Sequence, residues 1–276
     1  MKELKKSDVV NSPYPHVVIN EFTSFGDQLE IEFPKLELFG NTIRMDGDLN
    51  SNDDNFKKLN NDSRTYASIN EYFISKKFIE NILDAFDEQI EEHIKIGELL
   101  IDPRDLEISE TCLEARNGSA LIEFPEPKLF SRIDIGYAGK AYGINNGGKG
   151  IHTDNRRRLF SCLLYINTPK NIKGGEHRMY QMHENYSLKQ DKSYTPKQDL
   201  FLASLQSNYA FHDVNPITEI EGYRKAIYIG VTCSNELWKK IDDVNQAKLT
   251  QNRYTAPPTK PKSKSLISKF LLKIFK

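Results

Sequence analysis

Between Leu129 and Cys233 the chain runs through short apolar stretches broken by Gly, Pro and Asn, with no helical period between them. The stretches cover 129–137, 159–166, 176–182, 200–204, 210–214 and 226–233. Their length and their β-branched and aromatic content predict strands. Parallel strands need long crossover connections, usually helical. The sequence offers none here, so antiparallel pairing is expected, in a sandwich or jelly roll.

Upstream the pattern changes. Residues 13–22 read as a turn leading into a short strand. Residues 40–63 are rich in Asn, Asp, Ser and Gly, which predicts a solvated loop. Over 68–96, Ile69, Tyr72, Phe73, Phe78, Ile79, Ile82, Leu83, Phe86, Ile90 and Ile94 recur at three and four. That spacing predicts one or two amphipathic helices. A helical stripe needs an apolar partner, and the predicted sheet offers one. The expected class is therefore mainly β with flanking helices (α+β). Fifteen Phe and thirteen Tyr among 276 residues supply the bulk for a core.

Bulk charge narrows the partners. The formal net charge is -1, so the molecule as a whole is no polyanion binder and nucleic acid is not an expected partner. Cys112, Cys162 and Cys233 cannot all pair and show no CxxC spacing. Cys162 and Cys233 lie in apolar runs, where buried free thiols are expected. That points to a reducing compartment, and a cytoplasmic location is the expectation. The first eight residues carry charges with no long apolar stretch behind them, so no secretory signal is expected. No run approaches the roughly 20 apolar residues of a membrane span.

The last segment differs from the rest. Pro257, Pro258 and Pro261 end the globular pattern, and residues 260–276 carry lysines and no acid. Leu266, Ile267, Phe270, Leu271, Ile274 and Phe275 fall on one helical face. This pattern fits an interfacial membrane helix or a partner-binding helix. It equally fits a terminal helix docked on its own domain, or a frayed tail.

The chemistry concentrates around one motif. His152 and Asp154 stand two apart in Gly-Lys-Gly-Ile-His-Thr-Asp, His212 follows sixty residues later, and Arg224 comes after it. Alternate residues of an extended chain point the same way, so His152 and Asp154 converge while Thr153 turns aside. Two imidazoles and one carboxylate are a donor set for non-haem Fe(II) with its opposite face open. A guanidinium suits a carboxylate that must share that face. An isolated HxD arises often by chance, and a single His is commonly a surface or satisfied core residue.

The context adds weight. Leu164-Tyr165-Ile166-Asn167, Gly174-Gly175-Glu176, His212 and Gly222-Tyr223-Arg224 follow the HxD in that order. The order resembles the iron(II)/2-oxoglutarate-dependent dioxygenases, and most closely their prolyl 4-hydroxylase-like branch, over roughly residues 130–233. The resemblance implies a double-stranded β-helix (jelly roll) core supported by N-terminal helices. It implies a single oxygenase domain over 1–238, with strands and helices over 1–120 and the core over 121–238. A C-terminal helix and basic amphipathic tail would occupy 239–276. It further implies that His152, Asp154 and His212 hold Fe(II) and form the catalytic centre. Arg224 would grip the distal carboxylate of 2-oxoglutarate. Tyr142 lies where relatives often carry a tyrosine touching that cosubstrate, with Tyr137 and Tyr165 as alternatives. O2 is the oxidant, and ascorbate is a further candidate cofactor. The implied reaction hydroxylates a C–H bond and releases succinate and CO2.

The chain departs from that pattern in places. His212 and Arg224 are twelve residues apart where many relatives have about ten, so a hairpin longer by two residues is expected. Lys225 competes with Arg224, but on a strand only one of the two points inward. His177 follows the Gly-Gly-Glu where an apolar residue is more usual. It is a candidate for the substrate pocket, and with His183 for a zinc site that no H-E-x-x-H supports. His16 and His93 are expected to be structural or exposed. Residues 181–197 are expected to form a mobile loop at the substrate entrance. Arg156, Arg157 and Arg158 could attract an anionic substrate, but two of the three are expected in a solvated turn with at least one arginine paired to a carboxylate. A peptide or small-molecule substrate fits, including peptidyl proline, an amino acid or a glycan. The competing classes are a non-catalytic jelly-roll ligand-binding protein and a peripheral membrane protein acting through residues 260–276.

Overall fold

The computed structural model describes residues 1–39, 47–50, 53–113, 116–117, 120–121, 124–140 and 150–242. Tyr142 and the tail over 260–276 lie outside them. The first half holds β1 (His16–Ile19), α1 (Gln28–Ile31), β2 (Gly47–Asn50), α2 (Asp54–Asp62), α3 (Arg64–Ile74), α4 (Lys76–Ala85), α5 (Asp87–Lys95), β3 (Glu107–Ser109), β4 (Arg116–Asn117) and β5 (Ala120–Leu121). The second half holds β6 (Lys128–Ala138), β7 (Arg158–Tyr165), β8 (Lys170–Lys173), β9 (His177–Met182), β10 (Leu188–Tyr194), β11 (Phe201–Leu205), β12 (Phe211–Val214), β13 (Glu219–Glu221) and β14 (Arg224–Cys233).

Two antiparallel sheets face each other. The major sheet runs β1-β11-β7-β14-β6-β2, with β3 added parallel on β6. The minor sheet runs β10-β9-β12, and an isolated bridge from His152 to His212 extends it past β12. All six strands expected in the second half are present within one or two residues at each end. The fold is mainly β with flanking helices, as the spacing predicts.

Strand alternation divides the major sheet into two chemical faces. Ile133 and Ile135, Cys162 and Leu164, Phe201 and Ala203, and Ile227, Ile229 and Val231 join the main core with the helices. Leu163 and Tyr165, Leu202, and Ala226 turn the other way, toward Met179 of the minor sheet. Phe73 of α3 shows how tightly the first face is filled. It stacks on Phe201 with ring centroids 6.0 Å apart and on Phe22 at 6.2 Å, while Phe22 and Phe201 lie at 4.1 Å. On the second face His16 ties the sheets together. Its Nδ1 donates to the Tyr14 carbonyl, so its Nε2 accepts from the Tyr194 hydroxyl of β10 at 2.6 Å. His16 is thus structural, as expected.

Four local expectations need correction. Residues 54–62 are helical rather than loop, because Phe56 and Leu59 give even this polar stretch a buried side. Residues 64–95 form three helices, not one or two. Ser63 and Ser75 each accept a backbone N–H three residues on, which starts α3 and α4. Residues 188–194 form a strand on β9 rather than a loop, and the turn is confined to 183–187, where His183 N–H meets the Ser187 carbonyl. Its charged, exposed side chains are those of an edge strand, which lacks the apolar alternation that signals a strand in sequence. The interval from His212 to Arg224 is not a lengthened hairpin either, because β13 leaves it to pair with β8.

Phe73→Ala removes a fully buried ring packed against the Phe22–Phe201 stack. It is expected to destabilise the protein by about 3–5 kcal/mol, measured as a shift in denaturant midpoint at unchanged slope.

Candidate active site

The site is built on one backbone exchange. His152 N–H donates to the His212 carbonyl at 3.0 Å, and His212 N–H donates back to the His152 carbonyl at 2.9 Å. Residues that exchange both bonds stand directly opposite, with side chains on the same side. The two imidazoles accordingly lie with ring centroids 4.5 Å apart. Asp154, two residues along, joins them. The ligand atoms of His152, Asp154 and His212 all lie within 4.8 Å of one another, the one such His/Cys/Asp/Glu group among the described residues.

The tautomers follow from the hydrogen bonds. His152 Nδ1 is 2.8 Å from the Gly150 carbonyl, and His212 Nδ1 is 2.9 Å from the Ala210 carbonyl. A carbonyl only accepts, so each Nδ1 carries the proton and each Nε2 keeps its lone pair. That is the arrangement a metal-binding imidazole needs. The Ser161 hydroxyl donates to one Asp154 oxygen, and the other lies 4.0 Å from His152 Nε2. The donor set therefore fits a divalent ion that accepts nitrogen and oxygen together.

Across the sandwich, Arg224 is buried at 2% exposure on the site face of β14. Its Nη1 donates to the Gly175 carbonyl at 3.0 Å and its Nη2 to the Tyr228 hydroxyl at 2.8 Å. Ala226 stands between Arg224 and Tyr228 on that face, and its small side chain leaves room for the two long ones to meet. The Gly-Gly-Glu presents the carbonyl. Gly174 has φ +89°, and a Cβ there would lie 1.9 Å from the Pro216 carbonyl oxygen, so only glycine fits. Gly175 N–H then donates to the Asn215 carbonyl at 2.7 Å. Lys225 points the other way, to Glu30 at 3.2 Å and over the Phe33 ring. Arg224 is the inward cation, as strand alternation requires.

His177 of β9 lies between these two anchor points. Its ring centroid is 5.4 Å from that of His212, and its Nε2 is buried without a hydrogen-bond partner. Burial, then the charges of His212, Arg224 and His152, hold it well below the usual histidine range, against a smaller opposing pull from Asp154. His183 sits exposed in the turn beyond Met182, so the zinc pairing with His177 does not form. The three arginines of the run go to different partners. Arg156 pairs with Glu236, Arg157 donates to the Ser234 carbonyl, and the Arg158 guanidinium lies against Gly230.

Tyr142 lies outside the described residues. Of the alternatives, Tyr137 turns toward Phe39 and Tyr223, whereas Tyr165 is buried on the site face. Three site residues escaped the sequence reading. Ser161 and Tyr228 share strand alternation with Tyr165 and Arg224, a signal that was available. Tyr14 is buried in the site-face cluster with an unpartnered hydroxyl. Burial, then the Asp154 charge, pushes that hydroxyl well up. Nothing in the local sequence announces it, because only the pairing of β1 on β11 brings it there.

No family model and no curated protein matches the sequence. Solved structures do resemble the backbone. A prolyl 4-hydroxylase from Phytophthora capsici matches at TM-score 0.46 and 15% identity, over 86% of this chain and 68% of that one. A prolyl-4-hydroxylase from Pseudomonas putida matches at TM-score 0.38 and 11% identity, over 79% and 91%. A prolyl hydroxylase from Trichoplax adhaerens, solved with a hypoxia inducible factor oxygen degradation domain peptide fragment, matches at TM-score 0.35 and 15% identity, over 86% of each chain. At these TM-scores the likeness carries no argument about chemistry, which rests on the chain's own side chains.

The hydroxyl of Ser161 orients a carboxylate that the triad needs. Ser161→Ala is expected to weaken Mn(II) binding by about 10–100-fold, and His212→Ala to abolish it, both read by titration calorimetry. Equal, unaltered affinity in both variants would show that no ion binds there.

Proposed function

We propose that the chain is an Fe(II)- and 2-oxoglutarate-dependent dioxygenase. It hydroxylates a C–H bond of a peptide or small-molecule substrate and releases succinate and CO2. The observation that carries this reading is the His152–Asp154–His212 group together with the buried Arg224 guanidinium, with His177 beside His212 and two residues from the carbonyl that holds Arg224. The motif order in the sequence supports it further.

In this reading each side chain has a defined task. The Gly150 and Ala210 carbonyls hold the two Nδ1 protons, so His152 and His212 present lone pairs without reorganising. Ser161 fixes the Asp154 carboxylate. Iron held by His152, Asp154 and His212 would supply the redox chemistry that couples keto-acid decarboxylation to oxygen insertion. Gly175 and Tyr228 set the plane of Arg224, whose two parallel N–H groups match a carboxylate. Leu163, Met179, Leu202 and Ala226 form a buried apolar cluster on the same face of the sheets. Such a cluster helps to keep water from that face.

Turnover is tested without knowing the substrate. The wild-type chain, given Fe(II), 2-oxoglutarate and O2, is expected to form succinate, and His152→Ala and Asp154→Ala are expected to form none. Arg224→Met loses both charge-assisted hydrogen bonds and is expected to bind 2-oxoglutarate about 100-fold more weakly. Binding of 2-oxoglutarate without any succinate would favour a ligand-binding protein instead. Deleting residues 260–276 is expected to leave succinate formation unchanged.

A further inference from the structure

We infer that His177 is a third contact for the keto acid, hydrogen-bonding an oxygen of bound 2-oxoglutarate between the triad and Arg224. This assignment rests on the dioxygenase reading and adds a residue to it.

Register places the ring on the path. In the minor sheet His212 stands opposite Met179, and Val214 opposite His177. Residues 177, 179, 212 and 214 therefore share one face, and His177 and His212 are diagonal neighbours on it. Their ring centroids lie 5.4 Å apart. Two residues upstream, the Gly175 carbonyl receives the Arg224 guanidinium. The lead-in to β9 thus meets the cation, and the first side chain of the strand lies beside His212. A molecule that joins the ligand atoms to Arg224 passes over His177.

The imidazole is equipped for such a contact. Its residue is 7% exposed, and its Nε2 is buried with no partner in the protein. Buried polar nitrogens are rarely left unbonded in native proteins, and an exception calls for an explanation. Nothing in the strand pairing demands a histidine. The ring faces the site cluster of Leu163, Tyr165 and Met179, where an apolar side chain would pack as well. A keto acid carries five oxygens, all acceptors at neutral pH, and a neutral imidazole N–H is a matching donor.

The experiment uses the full chain loaded anaerobically with Fe(II), titrated with 2-oxoglutarate in a calorimeter. His177→Leu fills the same space without a donor, and His177→Gln keeps one. The Leu variant is expected to bind 2-oxoglutarate about tenfold more weakly, with Fe(II) affinity unchanged, and the Gln variant within about threefold of wild type. The assignment is overturned if the Leu variant binds as tightly as wild type. It is overturned equally if Leu and Gln lose the same affinity, or if the Leu variant loses Fe(II), since the ring would then only support His212. A wild-type chain that binds Fe(II) but no 2-oxoglutarate sinks the dioxygenase reading itself, and this contact with it.

Discussion

The site depends on a pair of backbone hydrogen bonds. His152 and His212 are sixty residues apart in sequence, and each gives its N–H to the other's carbonyl. No side-chain interaction could impose the same geometry so economically. A narrow antiparallel pair puts both imidazoles on one side and fixes their separation, and extended backbone brings Asp154 to the same side. The two carbonyls at Gly150 and Ala210 then settle which nitrogen carries a proton. Three groups that could together hold a metal ion are arranged by main-chain geometry.

The rest of the sandwich keeps that arrangement in place. β14 lies in the middle of the major sheet, between β7 and β6. Its odd residues Ile227, Ile229 and Val231 anchor the helical core, while its even residues Arg224, Ala226 and Tyr228 face the site. The same strand therefore carries the apolar burial that stabilises the fold and the polar groups that define the pocket. Burying a guanidinium is costly unless its N–H groups find acceptors. The Gly175 carbonyl and the Tyr228 hydroxyl are two of them. The steric demand at Gly174 ties the approach of Gly175 to the course of residues 215–217. The His152–Asp154–His212 group and the buried cation are thus linked through the two sheets.

Much of this was legible in the sequence, and the failures share a cause. Apolar strands such as β6, β7 and β14 stood out because they are largely buried on both faces. β10 did not, since Leu188 to Tyr194 is a charged edge whose partners are main-chain groups. α2 was missed for the same reason, because two buried residues carry the signal among seven polar ones. β13 belongs to a small ribbon with β8, whose side chains are mostly exposed. Alternation lets only one of Arg224 and Lys225 point inward, the Gly-x-Arg selected Arg224, and Lys225 does turn away, to Glu30.

The sequence by itself determined the strand-rich class, the helical layer and which of Arg224 and Lys225 turns inward, because periodicity and local spacing are properties of neighbouring residues. Tertiary structure decided how those pieces meet. It chose the register that sets His152 opposite His212, the turn of Gly-Gly-Glu under Arg224, and the insertion of Tyr14 and His177 into the pocket. Those outcomes depend on pairings between residues far apart in the chain, which no local pattern encodes.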